Sequence, residues 1–162
     1  MNYGIFLLLG SNQGERSRNL GEAAGRIEKA AGKILARSAL YKTAAWGLED
    51  QPDFYNQVLE LGSVFPPEVL LRKLQAIELE MGRVRIEKWG PRIIDIDILF
   101  YGDEVIDTPV LRLPHPGIPL RRFTLDPLAE IAPELRHPVL GKTMRELLEE
   151  CEDPLRVQMV IG

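Results

Sequence analysis

The chain has almost none of the residues that build disulfide frameworks or histidine metal clusters. It contains one cysteine, Cys151, and two histidines, His115 and His137, among its 162 residues. A single cysteine can form neither an internal disulfide nor a cysteine zinc site, and two histidines are too few for a histidine cluster. These shortages predict a protein of a reducing compartment in which Cys151 has a packing role.

Long apolar and long basic segments are also missing. No apolar run approaches the roughly 20 residues that a membrane-spanning helix needs, and the start of the chain lacks the basic region of a secretory signal. The net charge of -4 argues against general nucleic-acid binding. A hydrophobic fraction of 45% and a charged fraction of 27% are typical of globular proteins. We therefore expect one cytoplasmic domain over residues 1–162, with no membrane or nucleic-acid partner.

Hydrophobic periodicity predicts an α+β fold. Strands are expected at residues 5–9, 33–43, 54–64 and 93–101. Helices are expected from Leu20 to Gly32 and from Pro66-Pro67-Glu68 to Gly82. This strand and helix order is that of the ferredoxin-like βαββαβ core, an antiparallel sheet with two helices on one face. C-terminal additions are predicted as helices at 123–131 and 143–151 and an edge strand or tail at 157–161.

Two carboxylates interrupt the last strand of this predicted core. Asp95 and Asp97 are two residues apart and therefore share one face of a strand. The apolar residues of the segment are expected to share the other face: Ile94, Ile96, Ile98 and Phe100. Unpaired buried carboxylates are costly, and Mg²⁺ prefers carboxylate oxygens together with water and phosphate. The pair favours a magnesium-phosphate site, although Asp-x-Asp alone also suits a solvated acidic face.

Positive charge is concentrated just before this strand. Arg83, Arg85, Lys88 and Arg92 stand there against Glu87 alone. Guanidinium groups can bind phosphate oxygens through two parallel hydrogen bonds. A bound polyphosphate with its metal ion is the simplest interpretation.

Aromatic and amide side chains supply a second candidate site. Phe54, Trp89 and Phe123 would each ordinarily be core residues. Asn56 could face solvent, or its amide could bind the donor and acceptor edge of a planar ring. The segment 43–52, which includes Trp46, has little periodicity and is predicted to be a binding loop.

Taken together, these motifs resemble those of the hydroxymethyl-dihydropterin pyrophosphokinase family over nearly the whole chain. The most specific segment is Trp89-Gly90-Pro91-Arg92-x-x-Asp95-x-Asp97. Other matching segments are Leu9 to Asn12, Asp50 to Asn56, Gly82 to Arg85, Pro114-His115-Pro116, Arg121 with Phe123, and residues 127–133.

The resemblance implies a monomeric enzyme of folate biosynthesis. It would transfer pyrophosphate from ATP to the hydroxymethyl group of 6-hydroxymethyl-7,8-dihydropterin, with AMP as the second product. Two Mg²⁺ ions would bind Asp95 and Asp97, and Arg83 and Arg92 would stabilise phosphoryl charge. The implied ATP site comprises Gln75, Glu78, Arg85, Trp89, Arg92, Ile98, His115 and Arg121.

The same resemblance implies a pterin site. The ring would stack between Phe54 and Phe123, and Thr43, Trp46 and Asn56 would contact its edge and rim. The loops at 43–52 and 83–91 would close over the substrates. The sequence departs from the family pattern in three places: Ala44-Ala45-Trp46 replaces two prolines and a leucine, Phe54 replaces a frequent tyrosine, and Lys88 replaces a common arginine.

Two other functions fit parts of the pattern. One is a different magnesium-dependent phosphoryl or nucleotidyl transferase that uses Asp95 and Asp97 with another acceptor. The other is a ferredoxin-like RNA-binding module, but such a module should display aromatic residues on its sheet within basic surroundings. The acidic strand opposes that second alternative, and the aromatic pair with Asn56 favours a pterin.

Overall fold

The computed structural model describes residues 1–43, 53–82 and 93–160. Its strands are β1 (Asn2–Ser11), β2 (Lys33–Arg37), β3 (Tyr41–Thr43), β4 (Phe54–Ser63), β5 (Asp95–Tyr101), β6 (Ile106–Asp107), β7 (Arg112–Leu113) and β8 (Val157–Met159). Its α-helices are α1 (Arg16–Ala30), α2 (Pro67–Glu80), α3 (Arg122–Ile131) and α4 (Met144–Glu150). Within the described ranges, no helix has the length and apolar character needed to cross a membrane.

The main sheet is antiparallel and has the strand order β5-β1-β4-β3-β8, with β2 also paired to β4. β1 lies between β4 and β5, so both of its edges are hydrogen-bonded. A separate two-stranded ribbon joins β6 and β7. The predicted α+β class with an antiparallel sheet is confirmed.

Hydrophobic side chains bury both faces of the sheet. Helices α1 and α2 cover one face, where Leu20, Ile27 and Leu74 pack on residues of β1 that include Leu7 and Leu9. Helices α3 and α4 cover part of the other face through a second cluster, which includes Phe6, Leu8, Val58, Leu125, Leu128, Met144 and Leu147. Complete burial of each aliphatic side chain contributes about 1.5–3 kcal/mol. The second face is therefore covered beneath α3 and α4.

The single strand predicted at 33–43 is divided into β2 and β3 by residues 38–40, which we call the kink. At the kink, Ser38 Oγ accepts a hydrogen bond from Val58 N at 2.9 Å and donates to Ala39 O at 2.7 Å. Ala39 N donates to the Glu130 carboxylate instead of to a neighbouring strand. Side-chain hydrogen bonds thus replace part of the ladder, and β3 continues in pairing with β8.

The apolar pattern of β5 is broken by one extra residue. Phe6 pairs with Phe100 and Leu7 with Ile98, so Leu99 forms a bulge. Phe100 consequently packs edge-on against Phe6, with 6.2 Å between ring centroids, in the cluster beneath α3 and α4. The prediction that Phe100 shares a face with Ile98 is wrong, because a bulge shifts the alternation by one residue.

The two glycines that follow α1 and α2 have different roles. α1 ends at Ala30, and a Cβ at Gly32 would lie 2.3 Å from the carbonyl oxygen of Gly62. Gly32 is therefore required for close approach to β4. Gly82 has φ of 81° just after α2, the left-handed conformation that the sequence predicts for a C-terminal glycine.

Two residues near the C-terminus have clear structural roles. Thr143 caps α4 by exchanging hydrogen bonds with Glu146. Cys151 is a buried free thiol in the second cluster, as its predicted packing role requires.

Candidate active site

Four strands place a row of side chains on the face that carries α3. Gly10 of β1 pairs with Asp95 of β5 on one side and with Asn56 of β4 on the other. Asn56 pairs in turn with Tyr41 of β3. Directly paired residues point to the same face, and neighbouring strands are about 4.7–4.9 Å apart. Asp95 and Asn56 therefore stand two strand spacings apart on one surface.

The adjacent rows bring further predicted site residues to this surface. Thr43 pairs with Phe54, next to the row that contains Asn56. Asp97 pairs with Leu8 on the opposite side of Asp95. Five predicted residues from three strands thus share one face: Thr43, Phe54, Asn56, Asp95 and Asp97.

Gly10 leaves room for the side chains of β4 to lie over β1. A Cβ at Gly10 would be 2.9 Å from Asn56 Oδ1 and 3.6 Å from Phe54 Cδ1. Asn56 is only 3% exposed, so the alternative that it faces solvent is wrong. Its Nδ2 is buried and has no hydrogen-bond acceptor among the described residues. An unpaired buried donor costs about 1–3 kcal/mol, which a ligand acceptor can recover.

The two carboxylates of β5 form a donor set that suits Mg²⁺. Asp95 and Asp97 are both half-buried on the shared face. Over the described ranges, no group of three or more His, Cys, Asp or Glu side chains is placed to hold a metal. Mg²⁺ commonly takes one or two carboxylates and completes its shell with water and substrate phosphate. A pair of half-buried carboxylates fits that requirement.

The outer edge of β5 is held by two residues of the predicted ATP site. Glu78 Oε2 in α2 accepts a hydrogen bond from Ile96 N at 2.8 Å. His115 N donates to Leu99 O at 2.9 Å. Glu78 is buried, while Gln75, one turn earlier in α2, is exposed. These contacts dock α2 and the loop after β7 beside the strand that carries the carboxylates.

His115 lies within electrostatic range of both Asp97 and Arg121. Burial lowers the pKa of His115 below its usual value; the charge of Asp97 opposes this shift and that of Arg121 adds to it. His115 Nδ1 accepts a hydrogen bond from Gly117 N at 3.0 Å. The imidazole is therefore held in one orientation with Nδ1 as an acceptor.

Arg121 and Phe123 stand at the start of α3. The Arg121 guanidinium carbon is 5.6 Å from the centroid of the Phe123 ring, within the range of a cation–π contact. Phe123 is half-buried and packs against the cluster beneath α3. The structure thus places Phe123 on the same side of the sheet as Phe54 and Asn56.

Ile98 is placed away from the shared face, Thr43 also has a backbone partner, and other predicted residues lie outside the described ranges. The Ile98 side chain is 3% exposed and packs in the cluster on the α1 and α2 face, away from the carboxylates. Thr43 Oγ1 donates to Arg156 O at 3.2 Å. Five predicted residues lie outside the described residues: Trp46, Arg83, Arg85, Trp89 and Arg92.

The sequence arguments assigned no role to Tyr41 or Glu130. The Tyr41 hydroxyl donates to Glu130 Oε1 at 2.6 Å. Burial raises the pKa of Tyr41, and the hydrogen bond to Glu130 raises it further. The only sequence feature that singles out Glu130 is its position in the family-like segment 127–133. Its contact with Tyr41 of β3 is visible only in the tertiary structure.

Comparisons with known proteins identify similar sequences and a similar fold. Residues 6–133 match the family described as 7,8-dihydro-6-hydroxymethylpterin-pyrophosphokinase (HPPK). A 2-amino-4-hydroxy-6-hydroxymethyldihydropteridine pyrophosphokinase of Aquifex aeolicus is 42% identical over 146 residues, which are 90% of this chain and 91% of that protein. The Pseudomonas aeruginosa protein of the same name is 43% identical over 148 residues, 91% of each chain.

Larger proteins contain a similar unit. A folic acid synthesis protein of Pneumocystis carinii is 40% identical over 94% of this chain, which spans 20% of that protein. The fold matches wild-type Plasmodium falciparum HPPK-DHPS solved with pteroate, with a TM-score of 0.75, 19% identity, and coverage of 93% of this chain and 44% of that chain. The family match and the relatives above 40% identity show that this chain belongs to the 7,8-dihydro-6-hydroxymethylpterin-pyrophosphokinase family.

Proposed function

We propose that the protein transfers pyrophosphate from ATP to the hydroxymethyl group of 6-hydroxymethyl-7,8-dihydropterin in folate biosynthesis. The products would be AMP and the pterin diphosphate. The observation that carries the proposal is the pairing of Gly10 with both Asp95 and Asn56, because it puts a candidate metal site beside a buried amide donor. Membership of the family supports the choice of reaction.

The pterin half of the site would be formed by β4, β3 and the start of α3. The ring would stack between Phe54 and Phe123, and the Asn56 amide would bind its polar edge. Thr43, paired with Phe54, would lie at the rim, with Trp46 beside it. A flat heteroaromatic ring suits stacking on aromatic side chains, and the unpaired Nδ2 suits an acceptor on that ring.

The ATP half would be formed along β5. Asp95 and Asp97 would hold two Mg²⁺ ions, which would neutralise triphosphate charge and lower the pKa of the attacking hydroxyl. Gln75, Glu78, His115 and Arg121 would line the nucleotide, as would Arg85 and Trp89. Ile98 is left out of this site because its side chain is buried on the opposite face of the sheet. The contacts of Glu78 and His115 with the outer edge of β5 support this assignment.

Catalysis would rest on positioning and electrostatics. Pyrophosphoryl transfer needs the hydroxyl oxygen in line with the β-phosphorus, and a rigid sheet can hold both reactants in that geometry. Arg83, Arg92 and Arg121 would stabilise the negative charge that shifts to the leaving AMP. The neutral state of His115, which burial favours, would leave the positive charge to these arginines.

The finer features of fold and setting are also proposals. The strand order β5-β1-β4-β3, with α1 and α2 on one face, supports a ferredoxin-like βαββαβ core. We propose one domain over residues 1–162, since one sheet carries both hydrophobic clusters. We further propose a monomer in the cytoplasm, where the free thiol of Cys151 suits the reducing conditions. Light scattering coupled to size-exclusion chromatography would test the monomer.

The decisive experiment is AMP release by purified protein with ATP, Mg²⁺ and hydroxymethyl-dihydropterin. Asp97→Asn should lower turnover by about 10²-fold or more, because a charged group beside the phosphates is lost. Asp107→Asn is the matched control, since Asp107 is an exposed carboxylate of the β6–β7 ribbon. No AMP from the wild-type protein would disprove the function, and full activity of Asp97→Asn would disprove the metal assignment.

A further inference from the structure

The side chain of Glu130 joins α3 to the kink between β2 and β3. Its Oε1 and Oε2 accept from Ala39 N at 3.0 and 3.2 Å. Oε1 also accepts from the Tyr41 hydroxyl at 2.6 Å. Hydrogen bonds to an ionised carboxylate are about twice as strong as neutral ones. Glu130 therefore binds the backbone of the kink and the first residue of β3 together.

Several other polar groups of the kink form hydrogen bonds that do not involve Glu130. Ser38 N donates to Val58 O at 2.9 Å, and Ser38 O accepts from Gln57 Nε2 at 2.9 Å. Leu40 O accepts from Val160 N at 2.8 Å. Glu130 thus supplies the acceptor for Ala39 N.

Both ends of this connection reach the proposed pterin site. Tyr41 pairs directly with Asn56, and Thr43 of the same strand pairs with Phe54. Phe123 precedes Glu130 by seven residues in α3, which is two helical turns along one side of the helix. A bond between Glu130 and β3 therefore links the wall that carries Phe123 to the wall that carries Phe54 and Asn56.

The Tyr41 end of the link is stable to changes of pH in the ordinary range. Tyr41 is 7% exposed, and burial followed by the hydrogen bond to Glu130 raises its pKa. The charge of Asp126, one turn before Glu130 in α3, acts in the same direction. The phenol therefore remains protonated and keeps its role as donor.

We infer that Glu130 is a positioning residue for the pterin site: by binding Ala39 and Tyr41 it sets the separation between Phe123 and the Phe54–Asn56 pair. This inference rests on the proposed function. Glu130 itself need not touch either substrate. Its effect should fall more on pterin binding than on ATP binding. The proposed metal ligands and the contacts of Glu78 and His115 lie at β5, at the far edge of the sheet from β3, and only Arg121 among the described nucleotide residues adjoins α3.

The test is a set of four variants measured by pterin fluorescence titration and steady-state kinetics. Glu130→Ala should raise the dissociation constant and the KM for hydroxymethyl-dihydropterin about tenfold, with the KM for ATP within about twofold of wild type. Tyr41→Phe removes only the hydroxyl and should raise the pterin constants about threefold. Glu130→Gln keeps an oxygen acceptor and should fall between wild type and Glu130→Ala. Glu134→Ala, which removes an exposed partner of Arg145 near the same helix, should change nothing.

The outcomes separate a positioning role from a structural one. A Glu130→Ala protein with a lower Tm but an unchanged pterin dissociation constant would overturn the inference. If that variant does not fold, unchanged pterin constants in both Tyr41→Phe and Glu130→Gln would overturn it equally. Equal losses of ATP and pterin affinity would also contradict it. If the wild-type protein binds no pterin, the proposed function fails and the inference fails with it.

Discussion

Replacing Asn56 with leucine tests the proposed site in the ligand-free protein as well as in the complex. Leucine has nearly the shape of asparagine but no polar atoms. In the wild-type protein the Asn56 Nδ2 is buried without an acceptor among the described residues. The variant removes that unpaired donor, so we expect the free protein to gain stability while it loses pterin affinity.

The size of both effects follows from the burial of one amide. Removal of an unsatisfied buried donor should raise the free energy of unfolding by about 1–3 kcal/mol. Each kcal/mol corresponds to about 2–4 °C in Tm for a domain of this length. Loss of the same group as a ligand contact should weaken pterin binding by about 5–150-fold, since 1.4 kcal/mol is a factor of ten. Calorimetric melting and pterin titration measure the two quantities.

Gln57→Met is the matched control on the neighbouring residue. The Gln57 amide is paired, donating from Nε2 to Ser38 O at 2.9 Å. Its loss should lower the free energy of unfolding by about 0.5–1.5 kcal/mol and leave pterin affinity unchanged. If Asn56→Leu instead destabilises the free protein as Gln57→Met does and binds pterin normally, the amide is structural and the assignment of Asn56 is refuted.

Three further variants test two contacts beside the site and the helix cap of α4. Gly10→Ala should raise the KM for the pterin with little effect on ATP binding, because the new Cβ would lie 2.9 Å from Asn56 Oδ1. Gly25→Ala in α1 is its control: the new Cβ meets nothing within 4 Å, and the change should add up to about 1 kcal/mol of stability. Arg16 holds the start of β4: it donates to the Asp53 carbonyl at 2.7 Å, and its guanidinium carbon lies 4.0 Å from the Tyr55 ring centroid. Arg16→Leu should therefore weaken pterin binding, and normal pterin binding by this variant would show that Arg16 does not support the site. Hydrogen bonds with Thr143 at the α4 cap lower the pKa of Glu146. The ionised carboxylate therefore stabilises the folded protein above the ordinary carboxyl pKa, and this stabilisation is lost as the pH falls through the lowered pKa. Glu146→Gln has no carboxylate to protonate, so we expect it to lose less stability on acidification than the wild-type protein does. Urea unfolding at several pH values measures this difference. The same pH dependence of the free energy of unfolding in the wild-type and Glu146→Gln proteins would show that the cap contributes nothing.

Local patterns predicted the parts of this protein that depend on neighbouring residues in the chain. Apolar spacing placed α1, α2 and β4 within a few residues of their observed bounds. Alternation along β5 placed Asp95 and Asp97 on one face and separated them from Ile96 and Ile98. The same rule failed at Phe100, because the bulge at Leu99 arises from pairing with β1 and has no local signature.

The family-like motifs identified residues suited to the chemistry but did not predict the contacts that these residues make. They identified Asn56 and Phe54 as candidate ligand residues, but not that Gly10 makes the space in which both lie. They included Glu130 without its partners. The division of the predicted strand at Ala39 depends on that glutamate, which is 91 residues away in the chain.

The sequence by itself determined the class of fold through its periodicity, and its motifs identified the family and the types of residue that the chemistry requires. Only the tertiary structure decided which residues meet. Sheet register brought Asp95, Gly10 and Asn56 into one row, and burial left the Asn56 amide without a described acceptor. Register and burial arise from contacts between distant segments, which no local pattern encodes.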